Sequence, residues 1–487
     1  MNYQKYFQNK KITKQGFGVL GRGLGTVKFL LKNNAEVLIT DTKPEENFNA
    51  QIAELKLWMT ENKIPEDRVQ FVFGEHRTSD FQNCDLVISA SGVPKDNLYL
   101  KSAKEKNIPV YQESSLFLKI IRDFNEDLSA EDKIKIICIT GTRGKTTTTH
   151  LIYKILKDFY KYRNVFLGGN VQGISTIELL EKIGKKDIVV METDSWLAQG
   201  FEAINFSPDI AVFTNFMHDH MNYYKGNMTE YFTDKAQTFL YQKENSTLVA
   251  TENFKEYILE FLDQENLDLY EKSKSKKIFL ANNDVENDKK IFKSTLQGEH
   301  NRFNISLAIK VAKELKINEN SIKKSVENFN GVSGRLEFVK EIEGVKFYND
   351  TTATTPDATM VALNALQEKA ENIILICGGA DKELSVKSFA KRLIADQENG
   401  KIKQIILLKD ATTSGTQKLL EKFDEKKFQK YEVAVNLKEA FLLAKQIAEI
   451  GDAVLFSPAF ASFGMFKNEY HRGEMFLELI NLNLLCI

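Results

Sequence analysis

Short apolar runs alternate with stretches of helical periodicity along most of the chain. The run Ile373–Cys377 is apolar at every position, which is typical of a strand buried on both faces of a parallel sheet. A helical stripe is formed by Leu151, Ile152, Ile155, Leu156 and Phe159. Further strands are predicted at 37–40, 85–89, 134–140, 187–191, 210–213, 345–349, 405–408 and 453–456. The alternation indicates α/β layers with open, largely parallel sheets.

The chain is too long for one hydrophobic core. It has 487 residues, whereas single cores stop growing near about 250–300 residues. A charged stretch at 122–133 and a stretch rich in Gly and Asn at 328–335 separate groups of predicted elements. We therefore predict three domains, at 1–125, 132–328 and 330–487, each an open sheet flanked by helices.

Composition argues against several classes of function. The formal net charge is -1, so no long-range field attracts the chain to nucleic acid. Residues 1–14 lack the apolar stretch of a signal peptide, and no run approaches the ~20 apolar residues of a membrane span. The four cysteines form no C-x-x-C pair, which argues against a zinc site or a disulfide framework. We expect a cytoplasmic monomer that neither binds nucleic acid nor enters a membrane.

A glycine-rich segment between a predicted strand and a predicted helix is the strongest local signal. Its residues are Gly141, Thr142, Arg143, Gly144, Lys145, Thr146 and Thr147. Backbone N–H groups at such a helix start bind phosphate, while a lysine contacts the β- and γ-phosphates and a hydroxyl binds Mg²⁺. The full Walker pattern is not met, because Ile139 stands where its first glycine would fall. The alternative is a plain strand-to-helix turn with an exposed lysine.

Several blocks around this segment resemble the Mur ligase family, which shares the short G-T-x-G-K-T form with folylpolyglutamate synthetase. The blocks are G-N-V-Q-G at 169–173, Glu192 at a strand end, T-N-x-x-x-D-H at 214–220, H-N-x-x-N at 300–304, Gly334-Arg335, and Asp350. The resemblance implies a P-loop-type ATP-binding central domain between two Rossmann-like domains. It also implies ATP contacts from Asn304, Arg335 and Asp350 in addition to the glycine-rich segment.

The same resemblance implies four catalytic side chains, Lys145, Glu192, His220 and Lys235, and two Mg²⁺ ions. Thr146 and Glu192 would hold one ion, and His220 and Lys235 would help to hold the other. Lys235 lies fifteen residues after His220, where the family has a carbamylated lysine. A carbamate turns the cation into the oxygen ligand that a hard ion prefers. Taken alone, Lys235 is a solvated helix lysine.

The N-terminal segment 16–21 fits G-x-G-x-x-G, with Asp41 about twenty residues further on. By itself this pattern would suggest NAD binding. The preceding residues 11–15 make a poor strand, and the chain shows no second constellation for a dehydrogenase. The resemblance instead implies a site for a UDP-sugar. Its expected contacts are Gly18, Gly21, Asp41, Thr42, Ser91, Gly92, Asn170 and Ser195.

The C-terminal motifs discriminate among members of the family. G-G-A-D-K at 378–382 and the series S-P-A-F-A-S, F-K-N and R-G between 457 and 473 resemble the members that add D-glutamate. The implied D-glutamate contacts are Lys382, Ser462 and Thr354. Two departures from the usual pattern are Thr352, where many such members have lysine, and the segment 193–197 after Glu192.

The resemblance implies an ATP-dependent ligase with UDP-N-acetylmuramoyl-L-alanine, D-glutamate and ATP as partners. The alanyl carboxylate would be phosphorylated and then attacked by the amine. Three alternatives remain: a ligase of the same family for another amino acid, including a folylpolyglutamate-type enzyme; a nicotinamide dehydrogenase; and a non-catalytic UDP-sugar sensor. Retention of Lys145, Glu192, His220 and Lys235 argues against the sensor.

Overall fold

The computed structural model of the protein describes residues 2–18, 22–171, 174–221, 223–294, 296, 298–367, 370–381 and 384–482. The chain has three domains, each built on a largely parallel sheet flanked by helices, as predicted. They group into two compact units. The first contains residues 1–291 and 303–325 with the first two sheets, and the second contains residues 292–302 and 326–487 with the third. The residue boundaries of the three domains stay predictions.

The first sheet is parallel, and its described strands lie in the order β3-β2-β1-β4-β5. Its strands are β1 (Lys11–Gln15), β2 (Glu36–Asp41), β3 (Val69–Phe73), β4 (Leu86–Ser89) and β5 (Val110–Gln112). Its helices are α1 (Arg22–Lys32), α2 (Asn49–Glu61), α3 (Thr78–Gln82), α4 (Leu98–Glu105) and α5 (Glu113–Glu126). The expectation of a poor strand at 11–15 is wrong, because β1 is buried from Ile12 onwards and lies in the middle of the sheet.

The second sheet is also parallel, with the order β11-β10-β9-β6-β8-β7. Its strands are β6 (Lys135–Thr140), β7 (Val165–Gly169), β8 (Ile188–Glu192), β9 (Ile210–Phe213), β10 (Thr247–Thr251) and β11 (Lys276–Leu280). Its helices are α6 (Lys145–Phe159), α7 (Ser195–Glu202), α8 (Met228–Leu240), α9 (Phe254–Phe261), α10 (Gln264–Lys272), α11 (Asn282–Ile291), α12 (Glu299–Glu314) and α13 (Glu319–Glu327). One apolar core joins the first domain to the second, since Ile12 and Ile136 belong to the same buried cluster.

The third sheet has the order β12-β13-β17-β14-β15-β16, in which β12 is antiparallel to β13 and the other pairs are parallel. Its strands are β12 (Glu337–Ile342), β13 (Val345–Asn349), β14 (Ile373–Cys377), β15 (Ile402–Leu408), β16 (Glu432–Ala434) and β17 (Ala453–Phe456). Its helices are α14 (Pro356–Leu366), α15 (Lys387–Glu398), α16 (Ser414–Glu425), α17 (Leu437–Ile447) and α18 (Glu469–Leu482).

Strand β14 shows why a continuous apolar run predicts a strand of a buried sheet. Leu375 belongs to the core on one face of the third sheet, and Ile374 and Ile376 belong to the core on the other face. Both sets of side chains are buried because successive residues of a strand point to opposite faces. Within the part of the chain that the structure describes, no helix combines the length and apolarity needed to cross a membrane.

Candidate active site

The glycine-rich segment forms a phosphate-binding type of loop between β6 and α6. Gly144 caps α6 with φ +82°, and a Cβ there would lie 2.2 Å from Asn304 Oδ1. Gly141 has φ +132°, and a Cβ there would lie 2.1 Å from Thr214 Oγ1. Only glycine fits both positions without displacing a neighbour. The loop leads directly into the N-terminus of α6, and helix N-termini of this kind bind anions.

Residues that follow β9 hold this loop in place. Asn215 accepts a hydrogen bond from the Thr142 N–H at its backbone oxygen (2.9 Å) and one from the Arg143 N–H at its side-chain oxygen (2.8 Å). The Thr214 hydroxyl donates to the Arg143 carbonyl at 2.5 Å. The sequence pattern marked 214–215 only as part of a longer block. The structure shows that its role includes fixing the loop backbone.

Lys145 and Lys235 converge on one carbonyl of the loop. The Lys145 Nζ donates to the Gly141 oxygen at 3.1 Å and to the Thr142 oxygen at 2.9 Å. The Lys235 Nζ donates to the same Gly141 oxygen at 2.9 Å. Lys235 is only 1% exposed, so it is not the solvated helix lysine that its isolated sequence context suggested. Burial lowers the pKa of the Lys235 amine well below its usual value, and the nearby Lys145 lowers it further.

Glu192 lies beside this loop because of the register of the sheet. It ends β8, and its backbone pairs with Ile139 of β6, two residues before Gly141. Its side chain is buried, and its backbone oxygen accepts the Asn170 N–H at 2.7 Å. Strand β6 has β8 on one side and β9 on the other, so the strand order reverses there. Ligands of open α/β sheets bind at the carboxyl ends of the strands around such a switch point.

His220 lies at the edge of the same site in an aromatic setting. Its ring centroid is 4.8 Å from that of Trp196 and 6.0 Å from that of Tyr231. Burial lowers the pKa of His220; the carboxylate of Asp219 opposes this effect, and Lys235 and Lys145 add to it. Trp196 belongs to the segment that departs from the family pattern, and no sequence motif indicates that it packs on His220.

The oxygen donors of this region fit Mg²⁺ better than a metal that needs a complete protein cage. Within the described ranges, no group of three or more His, Cys, Asp and Glu side chains could hold a metal ion. Mg²⁺ commonly binds to one or two carboxylates together with substrate phosphates. Glu192, with the Thr146 hydroxyl at the start of α6, provides donors of that type. Lys235 reaches the Gly141 oxygen of the loop and lies close enough to His220 for its charge to lower the pKa of that histidine. Lys235 would act as a metal ligand only after carbamylation.

Of the N-terminal segment, the structure describes residues 16–18, which form a second glycine-rich turn after β1. Gly16 and Gly18 have φ of +78° and +71°. Asp41 braces this turn, because its carboxylate accepts the Phe17 N–H at 2.9 Å and the Lys43 N–H at 3.0 Å. Of the other expected sugar-nucleotide contacts in this domain, Thr42 and Gly92 are exposed and Ser91 is half-buried, while Gly21 lies outside the described residues.

Lys14 is buried directly beneath this turn, where its Nζ donates to the Gly16 oxygen at 2.8 Å. Burial lowers the pKa of Lys14 to about 8 from 10.5. At a pH between these two pKa values the unfolded chain binds more protons than the folded chain, so this lysine makes the free energy of unfolding rise with pH by up to about 1.4 kcal/mol per pH unit.

We expect Lys14→Met to remove that rise between pH 8 and 10, measured by urea unfolding. Lys11→Met, at the exposed start of β1, is the control; an unchanged slope in Lys14→Met would contradict the prediction.

In the second unit, Asp350 is a buried carboxylate at the end of β13. It accepts the Leu336 N–H at 2.9 Å and the Ser457 hydroxyl at 2.7 Å, and burial raises its pKa to about 7. It therefore holds the turn that carries Arg335. Thr352, the departure noted in the sequence, donates from its hydroxyl to the Gly334 oxygen at 2.8 Å and supports the same turn.

Arg472 connects two segments that carry expected D-glutamate contacts. Its guanidinium donates to the Thr351 oxygen at 2.7 Å and to the Phe460 oxygen at 3.1 Å. Thr354 follows the first segment, and the buried Ser462 follows the second. Lys382, the third expected contact, lies outside the described residues. Asn304, an expected ATP contact, belongs to the first unit, where it lies against Gly144.

Arg472 is fully buried, so its removal has a calculable cost. Arg472→Met would leave two buried carbonyl oxygens without their donor, and we expect a loss of about 3 kcal/mol in the free energy of unfolding. Denaturant titration measures it, with Lys438→Met on the exposed face of α17 as the control. Equal stability of the two variants would show that the guanidinium contributes nothing to the packing of these segments.

Family models match most of the chain. Residues 10–112 match the Mur ligase MurD-like N-terminal domain, residues 139–312 the Mur ligase middle domain, and residues 334–460 the Mur ligase glutamate ligase domain. The UDP-N-acetylmuramoylalanine--D-glutamate ligase of Borreliella burgdorferi (strain ATCC 35210) is 34% identical over 484 residues, which cover 97% of this chain and 98% of the relative. The ligase of the same name from Clostridium tetani is 33% identical, with 98% of each chain covered.

Solved structures share the fold at lower identity. The UDP-N-acetylmuramate-alanine ligase of Thermotoga maritima aligns with a TM-score of 0.55 at 18% identity, covering 98% of this chain and 100% of the other. The MurF ligase of the same organism, solved with ADP, aligns with a TM-score of 0.55 at 16% identity, covering 99% and 97%. Together with the full-length relatives, these matches lead to one conclusion: the chain belongs to the Mur ligase family.

Proposed function

We propose that this protein is the ATP-dependent ligase that joins D-glutamate to UDP-N-acetylmuramoyl-L-alanine in peptidoglycan precursor synthesis. The observation that carries the chemistry is the meeting of Lys145 and the buried Lys235 at the Gly141 carbonyl, beside the end of β8 that carries Glu192. The curated relatives named for this reaction support the choice of substrates. ATP and a nucleotide sugar are cytoplasmic metabolites, and the proposed enzyme acts there as a monomer.

In the proposed mechanism the N-terminus of α6 receives the β- and γ-phosphates of ATP, and Lys145 moves from the loop carbonyls to the phosphate oxygens. An oxygen of the alanyl carboxylate attacks the γ-phosphorus, ADP leaves, and an acyl phosphate forms. The amine of D-glutamate then attacks the acyl carbon and loses a proton, and inorganic phosphate leaves as the amide forms. A carboxylate is a poor electrophile, so this phosphorylation supplies the leaving group.

The magnesium ions would neutralise charge that develops on the phosphoryl oxygens. Thr146 and Glu192 are the proposed ligands of one ion, and His220 with a carbamylated Lys235 the proposed ligands of the other. The lowered pKa of Lys235 supports carbamylation, because only a neutral amine attacks CO₂. The amine nitrogen would form the new N–C bond and release one proton.

The proposed substrate contacts lie on all three domains. Gly18, Gly21, Asp41, Thr42, Ser91, Gly92, Asn170 and Ser195 are assigned to the sugar nucleotide. Lys382, Ser462 and Thr354 are assigned to D-glutamate, whose carboxylates suit a lysine and two hydroxyls. Asn304, Arg335 and Asp350 are assigned to ATP, together with the loop from Gly141 to Thr147.

The deciding experiment measures phosphate release with Mg-ATP and UDP-N-acetylmuramoyl-L-alanine while D-glutamate, L-glutamate, L-lysine, L-alanine and diaminopimelate are offered separately. We expect release with D-glutamate alone, together with a product of the matching mass. Release with a different amino acid would keep the ligase mechanism and replace the substrate, because Thr352 and the segment 193–197 depart from the usual pattern. The absence of release with every amino acid would overturn the proposed function.

A further inference from the structure

A buried carboxylate on α8 accepts hydrogen bonds from residues of both domains of the first unit. Asp234 is 2% exposed as a residue. Its oxygens accept from the Gln199 side-chain amide at 2.6 Å, from the Tyr224 hydroxyl at 3.0 Å and from the Lys95 Nζ at 2.9 Å. Gln199 and Tyr224 belong to the central domain, whereas Lys95 comes from the N-terminal sheet domain. The position of this carboxylate is therefore fixed by three donors.

Lys95 directly follows the turn that ends β4. Ser91 and Gly92, two expected contacts of the sugar nucleotide, lie four and three residues before it, respectively. Strand β4 is a neighbour of β1, so this turn lies at the carboxyl end of the sheet, beside the glycine-rich turn after β1. The same lysine also pairs with Glu202 at 3.0 Å, but that carboxylate is half-exposed whereas the side chain of Asp234 is 3% exposed.

Asp234 directly precedes Lys235 in the middle of α8. Lys235 reaches the Gly141 oxygen of the phosphate loop at 2.9 Å. Adjacent residues of a helix are held in fixed positions relative to each other by its backbone. The ion pair between Lys95 and Asp234 therefore connects the turn after β4 to the loop at the start of α6. The connection runs through three described residues and no mobile linker.

We propose that the Lys95–Asp234 ion pair is a positioning device that sets the sugar-nucleotide turn against the catalytic helix α8. Lys95 is a positioning residue and need not touch either substrate. Its effect is to bring the acceptor carboxylate into line with the γ-phosphoryl group of ATP. This inference rests on the proposed function, because it needs an acceptor bound at the turn after β4.

The two carboxylates that share Lys95 provide a matched comparison. An exposed pair contributes little, because water screens its charges. Removing the partner of a buried carboxylate leaves a charge with fewer donors in a site that excludes water. The inference therefore predicts a difference between variants that break one or the other contact of the same lysine: Asp234→Asn should impair catalysis and Glu202→Gln should not.

The experiment determines kcat per ATP-binding site for the full-length enzyme and its Lys95→Met, Lys95→Arg, Asp234→Asn and Glu202→Gln variants. Calorimetric titration with Mg-ATP counts the binding-competent sites, so a loss of folded protein does not appear as a loss of rate. We expect Lys95→Met and Asp234→Asn to lose about tenfold to a hundredfold, since misplacements of about 1 Å cost this much. Lys95→Arg should recover most of the rate, Glu202→Gln should stay within twofold, and the KM for ATP should not change.

A double variant tests whether the two residues act through one contact. Lys95→Met combined with Asp234→Asn should be no slower than the worse single variant, because the second change removes nothing that the first left intact. The inference would be overturned if the loss of kcat in the double variant equalled the product of the two single losses. It would also be overturned if kcat per site in Lys95→Met stayed within threefold of the unaltered enzyme. A failure of the proposed function is distinct, because the unaltered enzyme would then release no phosphate with these substrates.

Discussion

Replacing Lys145 by methionine should reduce D-glutamate-dependent phosphate release by about 10³-fold, the scale expected when a charge aimed at a developing anion is lost. Methionine keeps a flexible chain of similar length, so the start of α6 should retain its packing. The Lys145 Nζ lies within 3.1 Å of two loop carbonyls, so it is held at the helix start that would receive the γ-phosphate. Initial rates over a range of ATP concentrations measure the effect.

Lys154 provides the control for this variant because it lies on the same helix. Its Nζ pairs with Asp158 at 2.9 Å, and both side chains are partly exposed. Lys154→Met removes the same charge from α6 and should leave the rate within twofold. Similar losses in the two variants would mean that the total charge of the helix matters rather than the position of Lys145, and a fully active Lys145→Met would place phosphate recognition elsewhere.

Local patterns predict much of the fold because a strand that is buried on both faces consists of consecutive apolar residues. Ile373–Cys377 and Ile210–Phe213 were both found as predicted. Strand β1 was misjudged because Lys14 and Gln15 are polar, yet both are buried. An apolar pattern counts a polar residue as exposed, and it has no means of detecting a lysine that is desolvated beneath a turn and donates to backbone carbonyls.

The candidate site also has a part that local sequence predicts and a part that depends on long-range packing. The loop from Gly141 to Lys145 is contiguous, so its strand, turn and helix could be read from adjacent residues. Lys235 lies 94 residues from Gly141 along the chain and meets it only because α8 packs beside β6. No periodicity places those two atoms together, and only the family resemblance singled out this lysine. The packing of Trp196 on His220 had no sequence signal of either kind.

The burial of Lys235 lowers the pKa of its amine, and this leads to the second prediction of a large loss of activity. Its amine shares the Gly141 oxygen with Lys145, and a second ammonium there would add repulsion in a site shielded from water. Both causes lower its pKa, so the neutral amine is more populated than in an ordinary lysine at the same pH. Carbamylation would replace a repelled cation by an anion that Lys145 attracts.

We therefore expect Lys235→Met to reduce phosphate release by about 10²- to 10³-fold, and we expect the unaltered enzyme to lose rate in CO₂-free buffer and to regain it with bicarbonate. Enzyme equilibrated with ¹³C-bicarbonate should show a carbamate carbon signal in its NMR spectrum, and Lys235→Met should lack that signal. Lys243→Met, exposed just beyond α8, should keep both the signal and the rate. A full rate in rigorously CO₂-free buffer, with no carbamate signal, would mean that the buried amine acts in its own form, as a neutral donor to the loop beside Lys145.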